Sequence, residues 1–196
     1  MSFHFDSKNK AAFIDGLIFT TFMSIMALIL LMLILSCEDP ISPLEEAWEK
    51  YEKRAYSEAY ALFSEIERPE AVVGLGWTAL RMDSFPEAEA FFESVAADSL
   101  TDGYAGSVFV KWRQDHFTQA IEASQFVRRR DPEYIFSHDK SINISDIKLH
   151  QAYSLFHLRN YNACNDVIHE LDPIWIPSND PALILVRLEM LYAQYR

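Results

Sequence analysis

The stretch that decides the fold is residues 75–95, LGWTALRMDSFPEAEAFFESV. In it an aromatic residue is followed at fixed intervals by a second aromatic residue, a small residue and an aliphatic residue, namely Trp77, Phe85, Ala88 and Val95. The same order and spacing occur in three further segments: Trp48, Tyr56, Ala59 and Ile66; Phe109, Phe117, Ala120 and Val127; Tyr153, Tyr161, Cys164 and Leu171. A repeat of this length predicts a solenoid, in which each unit buries an apolar face against its neighbour.

The repeat resembles the tetratricopeptide repeat, in which Trp, Leu-Gly, an aromatic residue, Ala-x3-Phe and a closing Pro recur. The second unit carries most of this motif, with Leu75-Gly76, Phe85 and Ala88-x3-Phe92. The departures are Ser107 and Gln151 at the Leu position and Ser124 at the Phe position. The resemblance implies an all-α solenoid of about four helix-turn-helix units, closed by a C-terminal capping helix.

Within each unit, the pattern predicts two helices joined by a tight turn directly before the second aromatic residue. The predicted turns are residues 53–55, 82–84, 114–116 and 158–160. Ser84 and Asn160 are residue types that favour the N-cap of the helix that follows. Asp180 and Pro181 predict the start of the capping helix, which runs to about Tyr195.

The fourth unit is separated from the third by an insertion. The small residues of successive units are 29, 32 and 44 residues apart, so the extra residues fall at about 133–144. They include three consecutive apolar residues, Tyr134-Ile135-Phe136. Insertions in solenoids form loops on one face, often the binding face. Two interpretations stay open: these three residues belong to a binding surface, or they pack back over the core.

The N-terminal region predicts a targeting segment. Residues 17–36 carry no charge, and a helix of about twenty such residues is long enough to cross a bilayer. The residues Ile34-Leu35-Ser36-Cys37 resemble the lipobox of bacterial lipoproteins, which implies cleavage before Cys37 and acylation of its thiol. An uncleaved membrane anchor and a buried structural cysteine are the alternatives.

We therefore divide the chain into three parts: residues 1–36, a lipoprotein signal peptide or membrane anchor; residues 37–43, the lipidated cysteine and a tether; and residues 44–196, the helical domain. Lys8 and Lys10 precede the apolar run, and acidic residues follow it. The positive-inside rule thus predicts that everything after Ser36 lies outside the cytoplasm. We expect a lipid-anchored protein of the bacterial cell envelope, at the periplasmic side or the outer membrane.

Charge and motif content exclude several functions. The 29 Asp and Glu residues exceed the 17 Lys and Arg residues, giving a net charge of −12 that argues against nucleic-acid binding. The sequence has no Gly-rich phosphate loop, Cys-x-x-Cys, His-Glu-x-x-His or Gly-x-Ser-x-Gly motif. His150 and His157 are seven residues apart and His169 falls on a different helix, a poor arrangement for a metal. We expect no catalytic site, metal or cofactor.

The first helix of each unit carries the candidate partner-binding residues. Side chains one helical turn after each leading aromatic residue share its face, and the resemblance implies that this face lines a concave groove. The candidates are Trp48, Tyr51, Trp77, Arg81, Phe109, Trp112, Arg113, Tyr153, Phe156 and His157. Aromatic and arginine side chains dominate interface hot spots. The alternative is that these aromatics only pack between successive first helices.

These observations lead to one expected function and one alternative. We expect a membrane-tethered, non-catalytic adaptor that binds a protein or peptide partner in the assembly, secretion or organisation of the bacterial cell envelope. The alternative is a lipoprotein receptor that binds a peptide or glycan in the aromatic groove.

Overall fold

The computed structural model describes residues 21–28 and 41–195. The chain divides into two compact units, Met1–Ile41 and Ser42–Arg196. In the first unit residues 21–28 are helical, and within the described ranges no helix has the length and apolar character needed to span a membrane. Cys37 and most of the segment 1–36 lie outside the described residues, so the lipid anchor remains a prediction.

The described part of the second unit is built from nine α-helices. In chain order, α1 to α9 are Pro43–Glu52, Tyr56–Ser64, Pro69–Arg81, Phe85–Ser94, Thr101–Arg113, Phe117–Arg130, Ile144–His157, Tyr161–Leu171 and Pro181–Tyr195. A short 3-10 helix, Ala96–Asp98, follows α4. The first eight helices form four helix-turn-helix pairs, and each of the four predicted turns is the three-residue connection within a pair. The all-α solenoid with a final capping helix is therefore confirmed.

The four turns within the pairs share one backbone conformation. Their central residues have a positive φ: 60° at Arg54, 57° at Asp83, 60° at Asp115 and 57° at Arg159. The N–H of the next residue donates to a carbonyl five residues earlier, as from Ala55 to Lys50 at 2.9 Å. This left-handed residue and its hydrogen bond end many α-helices. Because the second aromatic residue comes next, the turn fixes where each second helix begins.

The helices begin with different capping arrangements. Ser42 and Glu45 form a capping box at the start of α1, and the Asn160 side chain accepts from the Ala163 N–H at 3.4 Å at the start of α8. Ser84 is the N-cap residue of α4, as predicted, but its side chain does not cap the helix backbone. Its hydroxyl donates to the Glu87 carboxylate at 3.1 Å, and it makes no side-chain cap bond to the helix backbone.

The motif's phenylalanine meets two glycines in the core: the motif glycine of its own unit, and a glycine directly before the Leu position of the next unit. The ring of Phe92, buried on α4, lies against Gly76 of α3 and Gly106 of α5. A Cβ atom at Gly106 would lie 2.1 Å from Phe92 Cζ, and one at Gly76 would lie 2.5 Å from Phe92 Cε1. Phe92 therefore packs between two successive first helices because both carry glycine where its ring lies.

The capping helix α9 completes the core of the fourth unit. Its Ile184, Leu188 and Leu191 are buried in one cluster with Cys164 of α8. Cys164 occupies the small position of its repeat, and burial raises the pKa of its thiol to about 12. A thiol with so high a pKa is a poor nucleophile, so Cys164 is a small core residue.

Candidate partner-binding groove

The insertion, residues 131–143 between α6 and α7, folds into a closed loop. Ile135 and Asn143 form an antiparallel bridge, and the Phe136 N–H donates to the Ile142 carbonyl at 2.9 Å. Tyr134 and Phe136 are buried, whereas Ile135 is 57% exposed. Of the two interpretations of the apolar triplet, packing over the core is thus the observed one for Tyr134 and Phe136.

Phe136 fills a cage formed by aromatic side chains of the first two units. Its ring stacks on Trp77 of α3, with 4.4 Å between centroids and 19° between planes. Trp48 and Tyr51 of α1 meet the same ring edge-on, with centroid distances of 5.9 and 6.1 Å. The Phe136 side chain is fully buried. Burial of an aromatic ring in such a cage stabilises the fold in two ways, through the apolar area removed from water and through the stacked and edge-on ring contacts.

Two polar side chains of the insertion contact the same helices. The His138 ring stacks on Trp48 at 3.8 Å and 1°, and its Nδ1 lies 2.8 Å from a Glu52 carboxylate oxygen. Asp139 forms an ion pair with Arg81 of α3. The Nε of Arg81 also donates to the Tyr51 hydroxyl at 3.2 Å. Arg81 thereby links the insertion to both first helices.

A third polar contact joins the insertion to α5. The Tyr134 hydroxyl donates to the Asp102 carboxylate at 2.8 Å, and the Trp77 indole N–H donates to the Asp102 carbonyl at 3.0 Å. Burial raises the pKa of Asp102 above its ordinary value, although the Tyr134 hydrogen bond acts in the opposite direction. Burial also raises the pKa of Tyr134. These groups hold the insertion against the solenoid through side chains.

Four of the predicted partner-binding residues therefore contact the chain's own insertion, namely Trp48, Tyr51, Trp77 and Arg81. Trp48, Tyr51 and Trp77 are 8%, 2% and 0% exposed. Their side chains share a face, as the helical spacing predicts, but in the structure this face is covered by Phe136 and His138. That a partner contacts them remains a prediction, and such contact requires the insertion to move.

The predicted residues of the fourth unit divide into two groups. Tyr153 lies near Trp112 of the third unit at 6.1 Å and near Tyr192 of α9 at 6.3 Å, on the side of the groove. His157 instead stacks on Phe117 of α6 at 4.5 Å and 1°. Phe156 lies 5.8 Å from Tyr161 of α8. Phe156 and His157 thus pack against second helices, an arrangement that differs from both the groove and the packing between first helices considered from the sequence.

An open cavity of about 400 Å³ lies beside the insertion, where the groove is not filled. Five predicted residues line it: Trp77, Arg81, Phe109, Trp112 and Arg113. The rest of its lining was not among the predicted binding residues: Leu80, Asp83, Phe85, Ser141, Ile142, Asp146, His150, Tyr192 and Tyr195. Their spacing of three residues places Tyr192 and Tyr195 on one face of the predicted capping helix, but it does not say that this face meets the groove. The cavity lies between the capping helix α9 and the first helices of the second, third and fourth units, α3, α5 and α7.

The walls of this cavity combine aromatic surface with hydrogen-bond donors. The Arg113 guanidinium lies 5.4 Å from the centroid of the Phe85 ring, a cation–π arrangement. The Trp112 indole N–H is buried and has no hydrogen-bond partner among the described residues, and the Tyr195 hydroxyl donates to the Leu171 carbonyl. In the part of the chain that the structure describes, no group of three His, Cys, Asp or Glu residues could hold a metal ion. The surface suits an apolar or aromatic side chain with an acceptor beside it.

The paired helices, their shared turns and the glycine–phenylalanine packing define a tetratricopeptide-type solenoid. No protein-family model and no curated protein matches the sequence. Among solved structures, the fold is similar to that of MamA MSR-1 C2, with a TM-score of 0.57, 12% identity, and coverage of 76% of this chain and 83% of that chain.

Two further solved structures have the same fold. A tetratricopeptide repeat protein from Parabacteroides merdae has a TM-score of 0.54 and 12% identity, with 78% of this chain and 60% of that chain covered. A thermophilic TPR protein from Thermus thermophilus, TTC0263, has a TM-score of 0.50 and 18% identity, with 78% of this chain and 80% of that chain covered. At these identities the similarity establishes the fold.

Proposed function

We propose that this chain is a non-catalytic protein-interaction adaptor that binds a segment of a partner in its groove. The observation that carries the proposal is the open cavity between α3, α5, α7 and α9. It is lined by Phe109, Trp112 and Arg113 together with Tyr192 and Tyr195. Tryptophan, tyrosine and arginine side chains clustered in a pocket are the residues that supply most of the binding energy in protein interfaces.

The insertion itself supports binding of a polypeptide segment. It lies on the same helical face as the cavity, and its side chains contact Trp48 and Trp77. This face therefore accommodates a peptide through ring stacking and an arginine–carboxylate pair. A partner segment in the adjoining cavity would use the same kinds of contact with Trp112 and Arg113.

We further propose that Cys37 tethers the protein by lipid to an extracytoplasmic membrane face of a bacterium. The support is the lipobox-like sequence Ile34-Leu35-Ser36-Cys37. In addition, the capping box at Ser42 begins α1 five residues after Cys37, so a short tether precedes the fold. An acylated N-terminus would hold the groove close to the membrane, where an envelope adaptor acts.

The tether is tested by the mass of the mature protein in bacterial membranes. We expect a diacylglycerol-modified chain that begins at Cys37, and we expect Cys37→Ala to abolish both cleavage and modification. An unmodified mature chain, or unchanged processing of Cys37→Ala, would overturn the tether while leaving the groove proposal intact.

The adaptor proposal is tested by photo-crosslinking in the bacterium that produces the protein. A crosslinking amino acid replaces Asp83, which is exposed and lines the cavity. A control chain carries it at Glu122, which is exposed on α6 and does not line the cavity. We expect one discrete protein adduct from position 83 and none from position 122. Identical adduct patterns from both positions would contradict the proposal.

A receptor for a small ligand is the second candidate, favoured by the cavity volume. About 400 Å³ falls within the range of about 300–1,000 Å³ typical of ligand pockets. Saturable binding of a glycan or short peptide to the full chain, without a protein adduct from position 83, would favour the receptor over the adaptor.

A further inference from the structure

The way in which the insertion is held identifies it as more than a connecting loop. Its main-chain hydrogen bonds lie within the loop, as from Phe136 to Ile142, or at its junctions with α6 and α7, as from Ile144 to Tyr134. It meets α1, α3 and α5 through four side chains, namely Tyr134, Phe136, His138 and Asp139. A segment held in this way occupies its site as a bound peptide does, because among the described residues its main chain makes no hydrogen bond to α1, α3 or α5.

The contacts have an order along the chain that another polypeptide can reproduce. Phe136 enters the cage of Trp48, Tyr51 and Trp77. Two residues later a ring, His138, stacks on the outer face of Trp48. The next residue, Asp139, pairs with Arg81. The site therefore selects a segment of four consecutive residues: an aromatic residue, a residue of any type, a residue with a second ring, and an acidic residue.

We propose that the insertion is a resident ligand of this site, and that the partner carries an aromatic-x-ring-acid segment that displaces it. This inference rests on the proposed adaptor function and adds the chemistry of the partner and the regulation of the groove. Arg81 connects the two parts of the groove, because it both pairs with Asp139 and lines the open cavity. A partner acid that reaches Arg81 from the cavity competes directly with Asp139.

Displacement leaves the solenoid connected, because the helices on either side of the insertion have their own packing. The Arg128 guanidinium of α6 donates to Gln151 of α7 and to Glu170 of α8. Helices α6 and α7 also pack directly against each other. The ends of the insertion thus stay in place while residues 134–139 exchange with a partner segment.

The test uses a fluorescent peptide with the sequence of residues 131–143, DPEYIFSHDKSIN, as the probe. A full-length variant with Phe136→Ala, His138→Ala and Asp139→Ala removes the three side chains that occupy the site, and we call it the emptied variant. We expect the peptide to bind the emptied variant at least about tenfold more tightly than the wild-type chain. The same peptide with its phenylalanine changed to alanine serves as the matched control and should bind neither chain.

A second measurement uses the wild-type chain and does not depend on the emptied variant folding. A fluorescent amino acid at position 135, which is exposed, reports whether the insertion leaves the groove. Saturating wild-type peptide should change its fluorescence, whereas the alanine peptide should not. Equal responses to both peptides, or no binding to either chain, would overturn the inference.

Two other results also decide the matter. A dimer in light scattering that forms only when the insertion is intact would mean that a second copy's insertion takes the site, and would overturn the inference of a separate partner. If the peptide experiments fail while position 83 still yields its adduct, the adaptor function stands and the resident-ligand inference falls. Peptide exchange without an adduct would overturn the adaptor function and, with it, the inference that a partner displaces the insertion.

Discussion

The ring of Phe136 stacks on the ring of Trp77 with 4.4 Å between their centroids. Trp77 is the leading aromatic residue of the unit that carries most of the repeat motif, and Phe136 belongs to the insertion that interrupts the repeat. The contact thus joins the most regular part of the sequence to the least regular part. As a consequence, the chain itself occupies part of the face expected to bind a partner.

Phe136→Ala should destabilise the fold, because it leaves the cage of Trp48, Tyr51 and Trp77 unfilled. Truncation of a fully buried phenylalanine costs about 3–5 kcal/mol of unfolding free energy. Urea unfolding of the full chain measures the loss. The matched control is Ile135→Ala, since Ile135 is the next residue but 57% exposed, and it should change the free energy by less than about 0.5 kcal/mol. Similar losses in both variants would mean that Phe136 is not packed in the cage.

Arg81→Ala should loosen the insertion without unfolding the solenoid. The substitution removes the ion pair with Asp139 and the hydrogen bond to Tyr51, which at a half-exposed site contribute about 1 kcal/mol or less. We expect amide exchange at Phe136 and Ile142 to quicken by up to about fivefold. Lys53→Ala, which removes an exposed ion pair with Glu49, is the control and should leave both amides unchanged. Unaltered exchange in Arg81→Ala would count against its role in holding the insertion.

Gly106→Ala should destabilise the solenoid, because its Cβ would lie 2.1 Å from Phe92 Cζ. Overpacking of this kind costs about 1–3 kcal/mol. Gly103→Ala is the matched control on the same helix, since its Cβ would meet Val73 Cγ2 at 3.4 Å and alanine favours the helix. Thermal unfolding should therefore separate the two variants. Addition of Phe92→Leu should recover part of the loss in Gly106→Ala, and no recovery would place the strain elsewhere.

Asp102→Asn should be neutral or stabilising at pH 7. Burial raises the pKa of Asp102 in the folded protein, so its carboxylate costs stability once the pH exceeds the pKa of the unfolded chain. Asparagine keeps an acceptor for the Tyr134 hydroxyl and carries no charge. The difference between variant and wild type should shrink as the pH falls below about 4, where the carboxyl of the unfolded chain becomes protonated as well. Urea unfolding at both pH values tests this, and a loss at pH 7 that persists at low pH would contradict it.

The helix pairs could be predicted from the sequence because their determinants are local. The left-handed turn residue, such as Asp83, and the aromatic residue that follows it, such as Phe85, lie within a few residues of each other. Their spacing therefore fixes both helix boundaries. The motif's Gly76 and Phe92 were likewise recognised from the sequence, and their direct contact in the core gives the physical reason for the pattern.

The filling of the groove could not be predicted in the same way. The contacts of Phe136 with Trp48 and Trp77 join residues far apart in the chain, and the sequence of the insertion has no periodicity that assigns it to a surface. Only its apolar triplet indicated burial, and that signal did not say which helices would cover it. Likewise, the helical face of Tyr192 and Tyr195 depends on how α9 packs, which spacing alone does not determine.

The central claim, that the cavity binds a partner protein, is tested most directly by the crosslinked adduct from position 83 in a Trp112→Ala background. The matched control is Trp175→Ala, because Trp175 is also a half-buried tryptophan but lies outside the cavity. With equal amounts of folded protein by circular dichroism, we expect Trp112→Ala to lower the adduct yield at least about tenfold and Trp175→Ala to leave it unchanged. An adduct yield that is equal in the two variants would contradict the claim.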